Sequence, residues 1–146
     1  MKTLLLATTN PGKIQEIKAI LTGIPLRLLS PAEIDLRLTI DEISSSYFGN
    51  ARLKAQIYVN ASGLPALADD SGLEVFALGG KPGVHSHRYS PNAAADDRER
   101  CLYLLDNLKA HPQPWEARFV CAVVLYSPSG EVLRSFGECR GEIIPE

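Results

Sequence analysis

Short apolar runs of strand length alternate along this chain with apolar stripes at helical spacing. Two late runs face each other across Ser127-Pro128-Ser129-Gly130. Together these predict an α/β fold, a mixed twisted sheet with flanking helices, rather than an all-helical bundle or a β-sandwich. At 146 residues the chain suits one domain, 1–146, large enough to bury roughly two thirds of its unfolded surface.

The elements follow in order. Thr3–Thr9 is a strand-length apolar run, and Ile14, Ile17, Ile20 and Leu21 then trace a helix face closed by Gly23. Ile24–Ser30 is a second strand. Pro31–Ser46 has weak periodicity and is expected to be a loop with some extended character. Phe48, Ala51, Ala55 and Tyr58 mark one face of a second helix, stopped by Ser62-Gly63. Leu64–Ala68 is a strand that leads into an acidic turn, Asp69-Asp70-Ser71-Gly72, and Leu73–Leu78 is the strand after it. Gly79–Pro91, rich in Gly and Pro, is a long loop. Leu102, Leu105 and Leu108 share a face of a third helix, which His111-Pro112 ends. Ala117–Tyr126 and Glu131–Phe136 form a closing hairpin.

Composition excludes several classes of function. A formal charge of −2 supplies no whole-molecule field for nucleic acid or an anionic membrane, so an anionic ligand must be met by local Lys and Arg. Cys101, Cys121 and Cys139 are odd in number, widely spaced and without a C-x-x-C, which fits reduced thiols and not a disulfide frame or a zinc site. His85 and His87 lack a third ligand nearby and are expected to be polar loop residues. No apolar stretch approaches a membrane span and no signal-peptide pattern opens the chain. The expectation is a soluble cytoplasmic protein with no nucleic-acid or membrane partner.

Two segments carry chemistry. In ATTNPGK, residues 7–13, Asn10 is a good N-cap, Pro11 fits the first helical position, and Gly12 allows close backbone approach. A helix N-terminus with free amides and Lys13 in its first turn suits an anion, most naturally phosphate. It is not a Walker A loop, because Ala7 replaces the first Gly and Ile14 follows the Lys. A well-capped helix with a solvated Lys is the competing reading. The second segment is LPALADDSG, residues 64–72, where adjacent carboxylates close an apolar run at a desolvation cost. One can face a ligand while the other holds the turn. Mg²⁺ reconciles a carboxylate with a phosphate chain, since it takes one or two carboxylates plus phosphate oxygens and water. Asp41-Glu42 offers a second carboxylate and Lys54 a second cation.

The segments ATTNPGKIQEI, NARLKA (50–55), LPALADDSGLEVFALGGKPGVHSHRYS (64–90) and RFVC (118–121) resemble the inosine triphosphate pyrophosphatase family, the XTP/dITP diphosphatases. The likeness runs over nearly the whole chain in the family's order. It implies an elongated, two-lobed fold with a central cleft, commonly a homodimer. It also implies Mg²⁺-dependent hydrolysis of ITP, dITP or XTP to the monophosphate and pyrophosphate, which clears the nucleotide pool. By position, Thr8, Thr9, Asn10, Pro11, Gly12 and Lys13 would cradle the triphosphate, with Lys54 as a second neutralising cation and Ser71 touching substrate. Glu42 and Asp70 would hold Mg²⁺, Asp70 would also accept a proton from the attacking water, and Asp69 would support the turn.

This sequence departs from the family pattern at Gly49, where Glu is common, and at His87, where a small residue is usual. Ser86-His87-Arg88 looks like the family's Ser-His-Arg motif but lies in the central loop, so no role is transferred. The family's later GFGYDP-like loop has no counterpart here, and the chain is expected to lack the C-terminal segment that reads the base. Two alternatives stand beside the main reading: a catalytically weak nucleotide-binding fragment and a Maf-like nucleotide pyrophosphatase.

Overall fold

The computed structural model describes residues 1–145. It contains a five-stranded sheet in the order β2-β1-β3-β4-β5. The strands are β1 (Lys2–Leu6), β2 (Leu26–Leu29), β3 (Ala66–Val75), β4 (Trp115–Tyr126) and β5 (Val132–Ile143), and the helices are α1 (Pro11–Ile20), α2 (Tyr47–Ser62) and α3 (Asp97–Leu108). β1 runs parallel to β2, with Leu4 opposite Leu28, and parallel to β3, with Leu5 opposite Ala66. β4 and β5 are consecutive neighbours joined by a tight turn, in which the Ser127 amide donates to Glu131 O and the Gly130 amide to Ser127 O. Parallel strands plus a hairpin make the sheet mixed, as the sequence predicts.

The chain divides into two compact units, Met1–Asp70 with Ala122–Ser135, and Ser71–Cys121 with Phe136–Glu146. In the first, Leu5, Ala66, Ala68 and Val124 from the strands, with Ala7 just beyond β1, pack with Ala51, Ala55, Tyr58 and Val59 of α2. Small residues at 51, 55, 66 and 68 let helix and sheet approach closely. The second unit has its own core, built from Val75, Leu104, Leu108, Trp115 and Ala117. There Arg118 also bridges Glu74 and Glu138, each at 2.6 Å.

Several boundaries differ from the sequence expectation, each for a local reason. β1 stops at Leu6 because Thr8 bonds back to Leu6 O. Pro31–Ser46 holds a single 3-10 turn, Pro31–Ile34, and no strand. The strand expected at Leu73–Leu78 ends at Val75, where the chain enters a 3-10 turn, and the Gly79–Pro91 loop contains another 3-10 segment at Gly83–Arg88. β5 extends well past Phe136 along β4. The largest correction concerns the acidic pair. Asp69 and Asp70 lie inside the continuous strand β3, not in a turn. Pairing of β3 within the sheet sustains the extended conformation that Asp-Asp-Ser-Gly by itself does not favour.

Candidate active site

Of the residues proposed from the sequence for substrate, metal or catalysis, all but Ser71 fall in the first unit; Ser71 opens the second. Parallel β1 ends beside the start of β3, with Leu6 opposite Leu67, β3 continues through Asp69 and Asp70, and the chain leaving β1 forms the start of α1. Asn10 caps that helix: its Oδ1 accepts from the amides of Gly12 (2.9 Å) and Lys13 (3.2 Å), and Pro11 occupies the first position. The Asn10 amide in turn donates to Thr8 Oγ1 at 3.2 Å. The expected free amides are therefore not free. The side chain that makes Asn10 a good cap consumes the donors that a phosphate would use, since both draw on the same first-turn N–H groups. Thr8 and Thr9 remain reachable, because with Ile14, Ser30, Arg37 and Thr39 they line a cavity of about 350 Å³.

In β3 alternate side chains point to opposite faces, so the two aspartates separate. Asp69, half-buried, accepts from Lys13 Nζ at 2.7 Å. It does not support a turn; it fixes the Lys13 side chain. Asp70 shares the face of Ala66 and Ala68 and is only 3% exposed. Its Oδ2 accepts from Asn50 Nδ2 at 3.1 Å. Burial pushes the Asp70 carboxyl above its ordinary range and the nearby Glu42 charge adds to this, while the Asn50 hydrogen bond, Lys54 and Lys13 oppose it. Glu42 itself pairs with Lys54 Nζ at 2.9 Å. The structure thus gathers Asp70, Glu42, Lys54 and Lys13 into one electrostatic group.

Asp70 and Glu42 could hold a metal. Among the described residues no cluster of three or more His, Cys, Asp and Glu is arranged to bind an ion, so no all-protein cage is available. Two hard carboxylate oxygens suit Mg²⁺, which keeps several waters and shares phosphate oxygens. Ser71 follows Asp70 in β3 and is half-buried. In the second unit Ser86 is structural: its Oγ accepts from the Leu73 amide and donates to Gly83 O.

Sequence reasoning missed Asn50. It is 1% exposed, and besides Asp70 it engages the backbone of Ser44. A signal was present, since Asn50 and Lys54 are four apart on α2 and so lie on one stripe, beside the apolar stripe of Ala51 and Ala55. Gly49 also acquires a meaning. A Cβ there would fall 1.9 Å from Ser44 Oγ and 2.7 Å from Ser44 Cβ, so the loop as it lies admits no side chain at 49.

The model of the Ham1 family matches residues 4–146. The chain is 45% identical over 141 residues to the dITP/XTP pyrophosphatase of Thermus thermophilus, covering 96% of this chain and 67% of that protein. It is 43% identical over 145 residues to the enzyme of the same name from Geobacter sulfurreducens, covering 99% and 72%. In structure it is similar to a HAM1 protein from Coxiella burnetii, with TM-score 0.90 and 34% identity over 100% of this chain and 75% of that one. The Ham1 protein of Staphylococcus aureus aligns with TM-score 0.84 and 33% identity, over 98% and 72%. With its family model matched over nearly its full length, and its α/β fold shared with these structures, the chain belongs to the Ham1 family.

Proposed function

We propose that this protein hydrolyses non-standard purine nucleoside triphosphates, dITP, XTP and ITP, to the monophosphate and pyrophosphate, with Mg²⁺ as cofactor. The observation that carries this is the buried Asp70 carboxylate grouped with Glu42, Lys54 and Lys13. Folding alone gives little reason to bury a carboxylate at 3% exposure, because desolvation opposes its charged form. Phosphoanhydride hydrolysis gives one, since it needs charge neutralisation and an aligned water more than a covalent nucleophile.

In this reading Asp70 and Glu42 hold Mg²⁺, which supplies positive charge to the phosphate oxygens when bound. Lys13 and Lys54 neutralise the triphosphate. Both are already held beside the site by carboxylates, at 2.7 Å and 2.9 Å, so their long side chains are ordered before substrate arrives. Thr8, Thr9 and Asn10 contact phosphate oxygens, and the Asn10 side chain gives up the Gly12 and Lys13 amides when an anion takes them. Ser71 touches substrate. A water attacks the α-phosphorus and passes a proton to the Asp70 carboxylate, and the α–β anhydride bond breaks to release pyrophosphate. A homodimeric assembly and a cytoplasmic location belong to the same proposal; sedimentation at micromolar concentration tests the first.

The deciding experiment incubates the protein with dITP and with dATP, with and without Mg²⁺, and follows monophosphate and pyrophosphate. Release from dITP that requires Mg²⁺ is expected. Binding of dITP without turnover would overturn the enzymatic reading in favour of a nucleotide-binding module.

A further inference from the structure

We propose that Asn50 is a positioning residue that ties the loop carrying Glu42 to Asp70, and that Gly49 is what lets the loop come within reach. The inference deepens the pyrophosphatase reading and rests on it for the metal, but the tie itself is a separate structural claim.

Asn50 lies in the first turn of α2, fully enclosed. Its Oδ1 accepts from the Ser44 amide at 2.9 Å, and its Nδ2 donates to Ser44 O at 3.3 Å and to Asp70 Oδ2 at 3.1 Å. Both ends of one side-chain amide are thus engaged, and they join two elements far apart in sequence. Ser44 is two residues beyond Glu42, so fixing its backbone restricts where the Glu42 carboxylate can go. A further restraint on Glu42 is Lys54, one helical turn beyond Asn50. The loop is held at two points by one stripe of α2.

Gly49 completes the arrangement. Ser44 Oγ and Cβ fill the space that a side chain at 49 would occupy. Any larger residue forces Ser44 to shift, together with the N-cap Ser46, whose Oγ would lie 2.8 Å from a Cβ at 49. Gly49 and Asn50 act as a pair: one removes an obstruction, the other makes the bond.

The consequence is for metal affinity. A site of only two protein carboxylates, one on a loop and one in a strand, depends on their spacing being set beforehand. Otherwise each binding event must order the loop. The competing account is that Asn50 merely satisfies buried polar groups, in which case its loss lowers stability and leaves metal affinity alone.

The test uses two variants that break the tie from opposite sides, Asn50→Ser and Gly49→Ala. Gly49→Ala retains Asn50 and its bond to Asp70, and so guards against a fold lost through the buried amide. Four quantities are compared with the unaltered protein: melting temperature, hydrogen exchange at the Ser44 amide, binding of Mn²⁺ alone, and the Mg²⁺ concentration for half-maximal dITP hydrolysis. In both variants Ser44 should exchange at least about tenfold faster, and Mn²⁺ binding and Mg²⁺ half-saturation should weaken by about 10–100-fold. At saturating Mg²⁺ the KM for dITP should change much less. Metal affinity held within about twofold in a folded variant would overturn the inference, as would an unaltered Ser44 exchange rate. If the unaltered protein binds Mn²⁺ but does not hydrolyse dITP, the functional reading fails while exchange and Mn²⁺ binding still decide the tie. If it does not bind the metal at all, both fail.

Discussion

Asp70 sits where two demands oppose each other. Its burial raises the carboxyl above its ordinary range, so the folded protein holds a proton there more tightly than the unfolded chain does. For a carboxylate shifted upward, ionisation works against folding: the penalty is full above the folded value and disappears as pH falls below the unfolded value near 3.8. Asp70→Asn keeps an oxygen to accept from Asn50 and removes the charge. In the metal-free protein it should melt at a higher temperature than the unaltered chain at pH 7, with the difference shrinking as pH approaches 4. Its pyrophosphate release should fall by about 10²–10⁴. A variant that loses stability at pH 7 while keeping activity would refute both halves. Lys13 offers a contrast. Lys13→Ala should raise the KM for dITP and lower turnover by about ten- to a hundredfold, the worth of one charge-assisted contact. Loss of a Lys13 that serves only to pair with Asp69 would lower stability and leave kinetics unchanged, so steady-state kinetics distinguishes the two.

At the scale of elements, the turn after β2 shows how local hydrogen bonds hold a connection that hydrophobic pattern does not describe. Glu33 in the 3-10 turn Pro31–Ile34 accepts from the Ser30 amide at 2.7 Å, from Ser30 Oγ at 2.8 Å and from Lys18 Nζ of α1 at 3.3 Å. These bonds, the Ser30 amide foremost, hold its carboxyl at about 2, down from 4.5. A carboxylate shifted downward stabilises the fold above its unfolded value, and that contribution is lost as pH falls through the folded value. Glu33→Gln should therefore lower the urea midpoint at pH 7, and the gap to the unaltered protein should narrow steadily between pH 5 and pH 2. A constant gap would show that the charge contributes nothing.

On the scale of the whole molecule, each compact unit carries its own core. Leu108, fully enclosed in the second, should cost about 2–5 kcal/mol on truncation to Ala, measured by urea unfolding. A loss under about 1 kcal/mol would mean the site collapses around the smaller side chain and the core is not packed as described. The apolar spacings made much of these cores legible: Ala51, Ala55 and Tyr58 in α2 and Leu105 and Leu108 in α3 were readable as stripes because burial imposes the helical period directly on sequence, whereas Leu102, expected on the same stripe, is exposed and Leu104 is buried in its stead. The hairpin at Ser127–Gly130, the Asn10 cap and the stop at Gly63 were readable for a similar reason, since each depends on a few adjacent residues. Lys13 and Asp70 could be singled out as candidates in the same way, through motifs contiguous in the chain. What tertiary structure alone decided is how distant residues meet. Asp-Asp-Ser-Gly has the local chemistry of a turn, yet pairing within the sheet makes it strand, and that alternation sends Asp69 to Lys13 and Asp70 to Asn50. The tie from Asn50 to Ser44, the space left by Gly49, and the capture of first-turn amides by Asn10 depend on side-chain positions that no spacing rule encodes. Local preferences are written residue by residue, whereas a hydrogen bond between a helix, a loop and a strand exists only once the core has placed all three.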